Sequence, residues 1–187
     1  LYVSSECKAF LHLDLAAQCK VKELPPGCLA TYDDDNSHTT MTTNVHCRSY
    51  YEIPRCMQVP SLAMVRALLV MSVRKRLRAD VSVGTFLSGG LDSSIVTALA
   101  AQQQPQLKAI TVGVHGSPDL ENAKLVAKHL NIEHTIVHFT LSELMDLVPK
   151  MVWHLESYNP SAINCAVVNY LAAQKAKELG LTVMLCG

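Results

Sequence analysis

From Ser61 onward the sequence alternates short aliphatic runs with longer segments of helical period, and that alternation leaves few folds open. Val81 to Leu87, Leu107 to Val114, His134 to Phe139 and Leu181 to Leu185 read as strands. Between them, Asp92 to Gln103, Asp119 to Leu130, Leu141 to Leu155 and Ile163 to Leu179 read as helices. A further helix precedes them: Leu62, Val65, Leu69, Ser72, Val73 and Leu77 trace one face, with Ser61 placed to cap its start. Strands that alternate with helices predict an α/β fold, a parallel sheet with helices on both faces. The supply of alanine, valine and leucine suits such a core.

The first 50 residues have a different texture. Pro25-Pro26-Gly27 is a turn signal, followed by the strand-like Cys28-Leu29-Ala30-Thr31-Tyr32. Thr39 to Val45 is a second strand candidate, and Asp33-Asp34-Asp35-Asn36 reads as a solvated polar loop. Residues 51 to 60 read as a linker, with Pro54 and Pro60 inside it. Leu1 to Ser4 also looks like a strand, and Gly187 directly follows another. The expectation is a piece of a longer polypeptide.

Charge and cysteines narrow the function classes. The formal net charge is zero, so no global attraction to nucleic acid or an anionic membrane is expected. The aliphatic run at Leu68 to Val73 is too short to span a bilayer. Seven cysteines, an odd number without Cys-x-x-Cys spacing, argue against a disulfide framework or zinc site and for a reducing cytoplasm. His134 and His138 would lie two pleats apart on one face of a strand, a pattern better suited to packing histidines than to a metal.

The chemistry concentrates at Leu87-Ser88-Gly89-Gly90-Leu91-Asp92-Ser93-Ser94, between the first strand of the α/β region and its helix. Open parallel sheets bind ligands at this edge. Two glycines remove side chains, so backbone amides can approach an anion. The helix start adds free N–H groups and the positive end of a dipole. Ser88, Ser93 and Ser94 offer hydroxyls to phosphate oxygens. Asp92 would repel phosphate unless a cation lies between them, which assigns it to Mg²⁺. No Gly-Lys-Ser/Thr follows, so this is not a Walker A loop, and a dinucleotide fingerprint is absent.

This string resembles the signature of the PP-loop ATP pyrophosphatases, which cleave ATP between the α and β phosphates. Its surroundings are similar to those of glutamine-hydrolysing asparagine synthetases. The likeness runs through Leu77 to Gly84, Ala109 to Leu120, Ala127 to Leu130, His134, His138 to Thr140 and Glu156 to Tyr158. Upstream, Ser5 to Ala9 and Val21 to Gly27 look like the end of that family's N-terminal glutaminase domain.

The resemblance implies residues 1–50 as the C-terminal part of a glutaminase (glutamine amidotransferase type 2) domain, an antiparallel remnant of an Ntn-hydrolase sandwich. Residues 51–60 would be the linker, and 61–187 the N-terminal part of an ATP-binding domain of the adenine nucleotide alpha hydrolase-like kind. It implies ATP and Mg²⁺ as cosubstrate and cofactor, with L-aspartate, L-glutamine and ammonia as the small-molecule partners. Aspartate would be adenylated to β-aspartyl-AMP with release of pyrophosphate, then amidated by ammonia from glutamine. Ser88 to Ser93 would hold the phosphates, Leu87 and Val112 would meet the adenosine, and Cys186-Gly187 falls where the family has a Ser-Gly pair touching ATP. Family members are often homodimers through the glutaminase domain.

Two positions depart from the family pattern: Asn159 replaces a usual aspartate and Asn164 a usual arginine. The arginine is suited to the substrate carboxylate, so either another residue supplies that cation or the acid differs, as in the β-lactam synthetases. A non-catalytic relative is the other alternative, against which the intact loop argues. The glutaminase nucleophile and the acidic loop expected after Gly187 are not in these 187 residues. The segment by itself is therefore expected to make no amide.

Overall fold

Four strands beyond residue 80 pair side by side, all parallel, in the order β5-β4-β3-β6. They are β3 (Val83–Phe86), β4 (Lys108–Gly113), β5 (Glu133–His138) and β6 (Val183–Leu185). Two further strands, β1 (Cys28–Tyr32) and β2 (Val45–Ser49), form a separate antiparallel pair running from Cys28 opposite Ser49 to Tyr32 opposite Val45. A computed structural model describes residues 2–11, 21–32, 45–54 and 59–187. The chain divides into two units, Leu1–Val59 and Pro60–Gly187.

In the first unit a short 3₁₀ turn spans Cys7–Phe10. Residues 2–4, expected as a strand, carry none; an extended run needs a ladder partner to persist. The second strand expected at Thr39 to Val45 lies outside the described residues except for Val45, which begins β2. The polar loop at 33–36 lies outside them as well.

In the second unit five helices carry the chain between strands: α1 (Leu62–Arg76), α2 (Leu91–Ala101), α3 (Pro118–Leu130), α4 (Leu141–Leu155) and α5 (Pro160–Glu178). Their starts have local causes. The Ser61 hydroxyl accepts from the Met64 amide, and the Ser117 hydroxyl from that of Leu120. Thr140 and Glu143 form a reciprocal capping box. The long helix begins at Pro160, three residues earlier than its apolar period suggests. Asn159 caps it by accepting from the amides of Ser161 and Ala162, and proline suits the first helical position.

Alternate residues of the strands face opposite helices, as the two-residue period requires. Val83 packs with Val73 of α1 and Ala100 of α2, and Ala109 and Leu87 pack with Ala123 and Ala127 of α3. Ile110 turns the other way, onto Ala176 of α5 and Leu181. Helix α4 packs on α5 through Met151, Ile163 and Val167. The sheet is thus covered on both faces. No helix among the described residues is long and apolar enough to cross a membrane.

Ile110 sits at the centre of the α5 face and is 1% exposed. Replacing it with alanine should leave a cavity and lower stability by about 3 kcal/mol, read as a shift in the urea midpoint by circular dichroism. A change below about 1 kcal/mol would mean that this face is loosely packed.

Candidate functional site

Strand order decides where a ligand can enter. The chain steps from β3 to β4 to β5 in one direction, then returns to place β6 on the other side of β3. The sheet therefore has its switch point at β3, and the crevice lies beyond the carboxyl ends of β3 and β6. Leu87 to Gly90 leave β3 there, and Cys186-Gly187 leave β6 there.

The loop is organised by short polar contacts. The Ser93 hydroxyl accepts from the Ser88 amide at 3.1 Å, lies 2.8 Å from the Ser88 hydroxyl and reaches the Gly90 carbonyl at 3.3 Å. The Gly90 amide donates to Ser88 Oγ at 3.3 Å, and the Ser94 hydroxyl donates to the Gly90 carbonyl at 2.6 Å. All three serines expected to face phosphate thus brace the loop. In the Ser88–Ser93 contact either hydroxyl can be the donor. Ser93 has one proton: given to the Gly90 carbonyl, it leaves Ser88 as the donor of this pair; given to Ser88, it leaves the Ser88 proton for an incoming oxygen.

The amides divide into two sets. Those of Ser88 and Gly90 are taken by side chains of the loop. The first amide of α2 to find a helical carbonyl is that of Ser94, which donates to Gly90. Those of Gly89, Leu91, Asp92 and Ser93 have no internal acceptor among the described residues, and that of Ser93 lies against Gly187. They stand at the positive end of α2, the combination that favours an anion.

The two glycines have different reasons. Gly89 has φ +82°, and a Cβ there would lie 2.5 Å from the Asp119 carbonyl and 2.8 Å from the Ala123 amide. Close packing of the loop on α3 demands this glycine. A Cβ at Gly90 would meet only the Ser88 hydroxyl, at 3.4 Å, so the space it leaves faces outward. Gly187 is a third such position: a Cβ there would run into the backbone of Asp92 and Ser93. The end of β6 therefore lies directly against the first turn of α2.

Of the remaining expected residues, Leu87 is 1% exposed and its side chain belongs to the core. Its amide donates to Ile110 at 2.9 Å. Val112 is half-buried on β4, and Cys186 is exposed just past β6. Asp92 is exposed in the first turn of α2. No cluster of three or more potential metal ligands occurs among the described residues. One carboxylate fits Mg²⁺ all the same, since that ion keeps several waters and takes its other ligands from phosphate.

Asn159 is occupied in capping α5, a task that asparagine and aspartate perform equally well. Asn164 is exposed one turn further on. Two surface hollows lie apart from the loop. One of about 460 Å³ is lined by Ala173, Lys177 and Met184, and one of about 290 Å³ by His138, Asp146 and Gln174.

Sequence reasoning missed Thr111, whose buried hydroxyl donates to the Leu87 carbonyl, and gave His134 no more than a packing role. The His134 Nε2 lies 2.7 Å from that same hydroxyl. Burial, and then the Lys124 ammonium, hold the imidazole below its ordinary range.

A strand, a Ser-Gly-Gly loop and a helix start at the switch point of a parallel sheet define the adenine nucleotide alpha hydrolase class of folds. Consistent with that class, the glutamine-dependent NAD+ synthetase of Acinetobacter baumannii, solved in complex with ADP, is similar over 82% of this chain and 29% of its own, with a TM-score of 0.51 and 18% identity. Residues 64–187 match the family model of asparagine synthase. Asparagine synthetase B [glutamine-hydrolyzing] of Escherichia coli K12 is 32% identical over all of this chain and 35% of its own length. The asparagine synthetase [glutamine-hydrolyzing] of Brassica oleracea is 34% identical, over all of this chain and 32% of its own. The chain belongs to the asparagine synthase family, and it spans about a third of the length of these relatives.

Two outcomes follow from this geometry. Gly89→Ala should cost about 3 kcal/mol, through its positive φ and the clash with α3, whereas Gly90→Ala should unfold at nearly the wild-type urea concentration. For His134 the folded pKa lies below the unfolded value, so the unfolded chain binds the proton more readily. Stability should be complete above about pH 6.5 and fall as the pH drops below it. His134→Gln should flatten that slope between about pH 7.5 and 5.5. An unchanged slope in urea titrations would contradict the assignment.

Proposed function

We propose that this chain supplies the nucleotide-binding part of a glutamine-dependent asparagine synthetase. Residues 61–187 would be the N-terminal part of its ATP-binding domain, residues 51–60 a linker, and residues 1–50 the end of its glutaminase domain. One observation carries the reading: the unpaired amides of Gly89, Leu91 and Asp92, at the switch point of a sheet in this family.

In this reading the amides and the Ser88 hydroxyl bind the phosphates of ATP, and Asp92 is the residue that would hold Mg²⁺. Mg²⁺ would neutralise charge on the departing pyrophosphate. A carboxylate oxygen of aspartate attacks the α-phosphorus, and the bond to the bridging oxygen of the β-phosphate breaks. β-Aspartyl-AMP and pyrophosphate result. Ammonia released from glutamine then attacks the acyl carbon, and AMP departs with the bonding electrons. Adenylation is needed because a carboxylate is a poor electrophile. The backbone of Leu87 and Val112 meets the adenosine, and Cys186-Gly187 closes the site from β6. The open side of Gly90 leaves room for the phosphate tail, and Gly187 brings the end of β6 against α2.

Asn164 brings no charge, so either another residue supplies the cation for the substrate carboxylate or the acid being amidated differs. The setting is cytoplasmic, and the whole enzyme a homodimer through its glutaminase domain. Cys28, Cys47, Cys165 and Cys186 carry free thiols, which suits a reducing compartment.

Calorimetry with a non-hydrolysable ATP analogue tests the site. The chain should bind it with Mg²⁺ present, and Asp92→Asn should weaken that binding about tenfold or more while leaving AMP binding little changed. Failure of the chain to bind the analogue, or an Asp92→Asn variant that binds as well as wild type, would refute it. Pyrophosphate release by a protein containing this segment, with aspartate compared with other carboxylic acids, tests the choice of acid.

A further inference from the structure

Thr111 is a polar residue inside the second strand of the sheet, 4% exposed. Its hydroxyl touches two groups, the Leu87 carbonyl and His134 Nε2. A hydroxyl has one proton to give, and a carbonyl has none. The Thr111 proton therefore goes to Leu87, and His134 donates from Nε2 to the Thr111 oxygen. This fixes the tautomer of a neutral imidazole: the proton is on Nε2.

The direction continues through the backbone. The Leu87 carbonyl and the Ser88 amide belong to one planar trans peptide and point opposite ways. The amide donates to Ser93 Oγ at 3.1 Å. This peptide is held on both edges at the point where β3 becomes the loop. Ser88, Gly89 and Gly90 set out from it, so the aim of the unpaired amides depends on its orientation.

We propose that His134 and Thr111 are positioning residues for the nucleotide loop, forming a one-way hydrogen-bond relay from β5 through β4 to the Leu87–Ser88 peptide. The proposal rests on the reading of that loop as a phosphate site. Packing alone does not account for the pair. Valine would fill the space of Thr111 without a hydroxyl to bury, and a buried hydroxyl is tolerated here because both its partners are in place.

The test pairs each disruptive variant with a conservative one. Thr111→Val removes the hydroxyl at nearly constant volume, and Thr111→Ser restores it. His134→Leu removes the donor, and His134→Gln supplies an amide N–H in its place. Nuclear magnetic resonance on the free chain should show His134 protonated at Nε2. Amide exchange at Ser88 should quicken about tenfold in Thr111→Val and in His134→Leu, and return toward wild type in Thr111→Ser and His134→Gln. Affinity for the Mg²⁺-bound ATP analogue should fall about tenfold in the first pair and recover in the second.

Protonation at Nδ1 alone, or Ser88 exchange unchanged in Thr111→Val, would overturn the relay while leaving the phosphate site intact. If the wild-type chain does not bind the analogue, the phosphate-site reading fails, and the tautomer and Ser88 exchange still decide whether the relay exists. A uniform rise in exchange across the whole sheet would mark a general loss of packing and would also overturn it.

Discussion

The Ser93 hydroxyl holds the Ser88–Gly90 loop in shape. It takes the Ser88 amide, meets the Ser88 hydroxyl and reaches the Gly90 carbonyl. Without it only the Ser94 hydroxyl, on the Gly90 carbonyl, would tie the loop to α2 through a side chain, and Ser88 would lose its anchor. The serine is 7% exposed because it turns inward to do this. Its neighbours share the constraint: Gly89 lets the loop sit on α3, and Gly187 lets β6 end against the first turn of α2. A site made of backbone amides requires such bracing, since its donors cannot change rotamer to find a ligand.

Beneath the loop, polar groups tie the layers together. Thr85 of β3 and Thr97 of α2 share a buried contact of 2.9 Å, and Thr85 also reaches the Leu185 carbonyl of β6 at 3.4 Å. The contact joins the strand on each side of the switch point to the helix that begins there. No buried side-chain polar atom among the described residues lacks a partner. Fold and site therefore use the same few groups: the strand ends are fixed by the contacts that shape the crevice.

Much of this was legible in the sequence. The alternation from Ser61 gave the parallel sheet and its helices, because apolar residues at a period of two and then of three to four can be buried in no other way. Ser88 to Ser93 located the candidate loop, because that string joins a strand to a helix start. Strand order was not legible. It depends on β6 returning to β3 across about a hundred residues, and no local pattern encodes it. The early start of α5 was visible in Asn159-Pro160, a cap followed by proline, but the apolar period from Ile163 spoke louder.

Other parts were hidden for physical reasons. Thr111 reads as an ordinary strand residue, since its partner is a carbonyl 24 positions away. His134 looks like a packing histidine until the tautomer is worked out from Thr111. The reason for Gly89 was also out of reach: its neighbour is the backbone of α3, and that contact exists only once the sheet is folded.

The central claim concerns three amides, and a nitrogen-detected titration of the chain with a Mg²⁺-bound ATP analogue addresses them one by one. The account predicts that the resonances of Gly89, Leu91 and Asp92 shift most, with Gly187 following, while the Ser88 amide keeps its bond to Ser93. Resonances that stay still at these residues, or shifts confined to the hollow beside Ala173 and Met184, would contradict it.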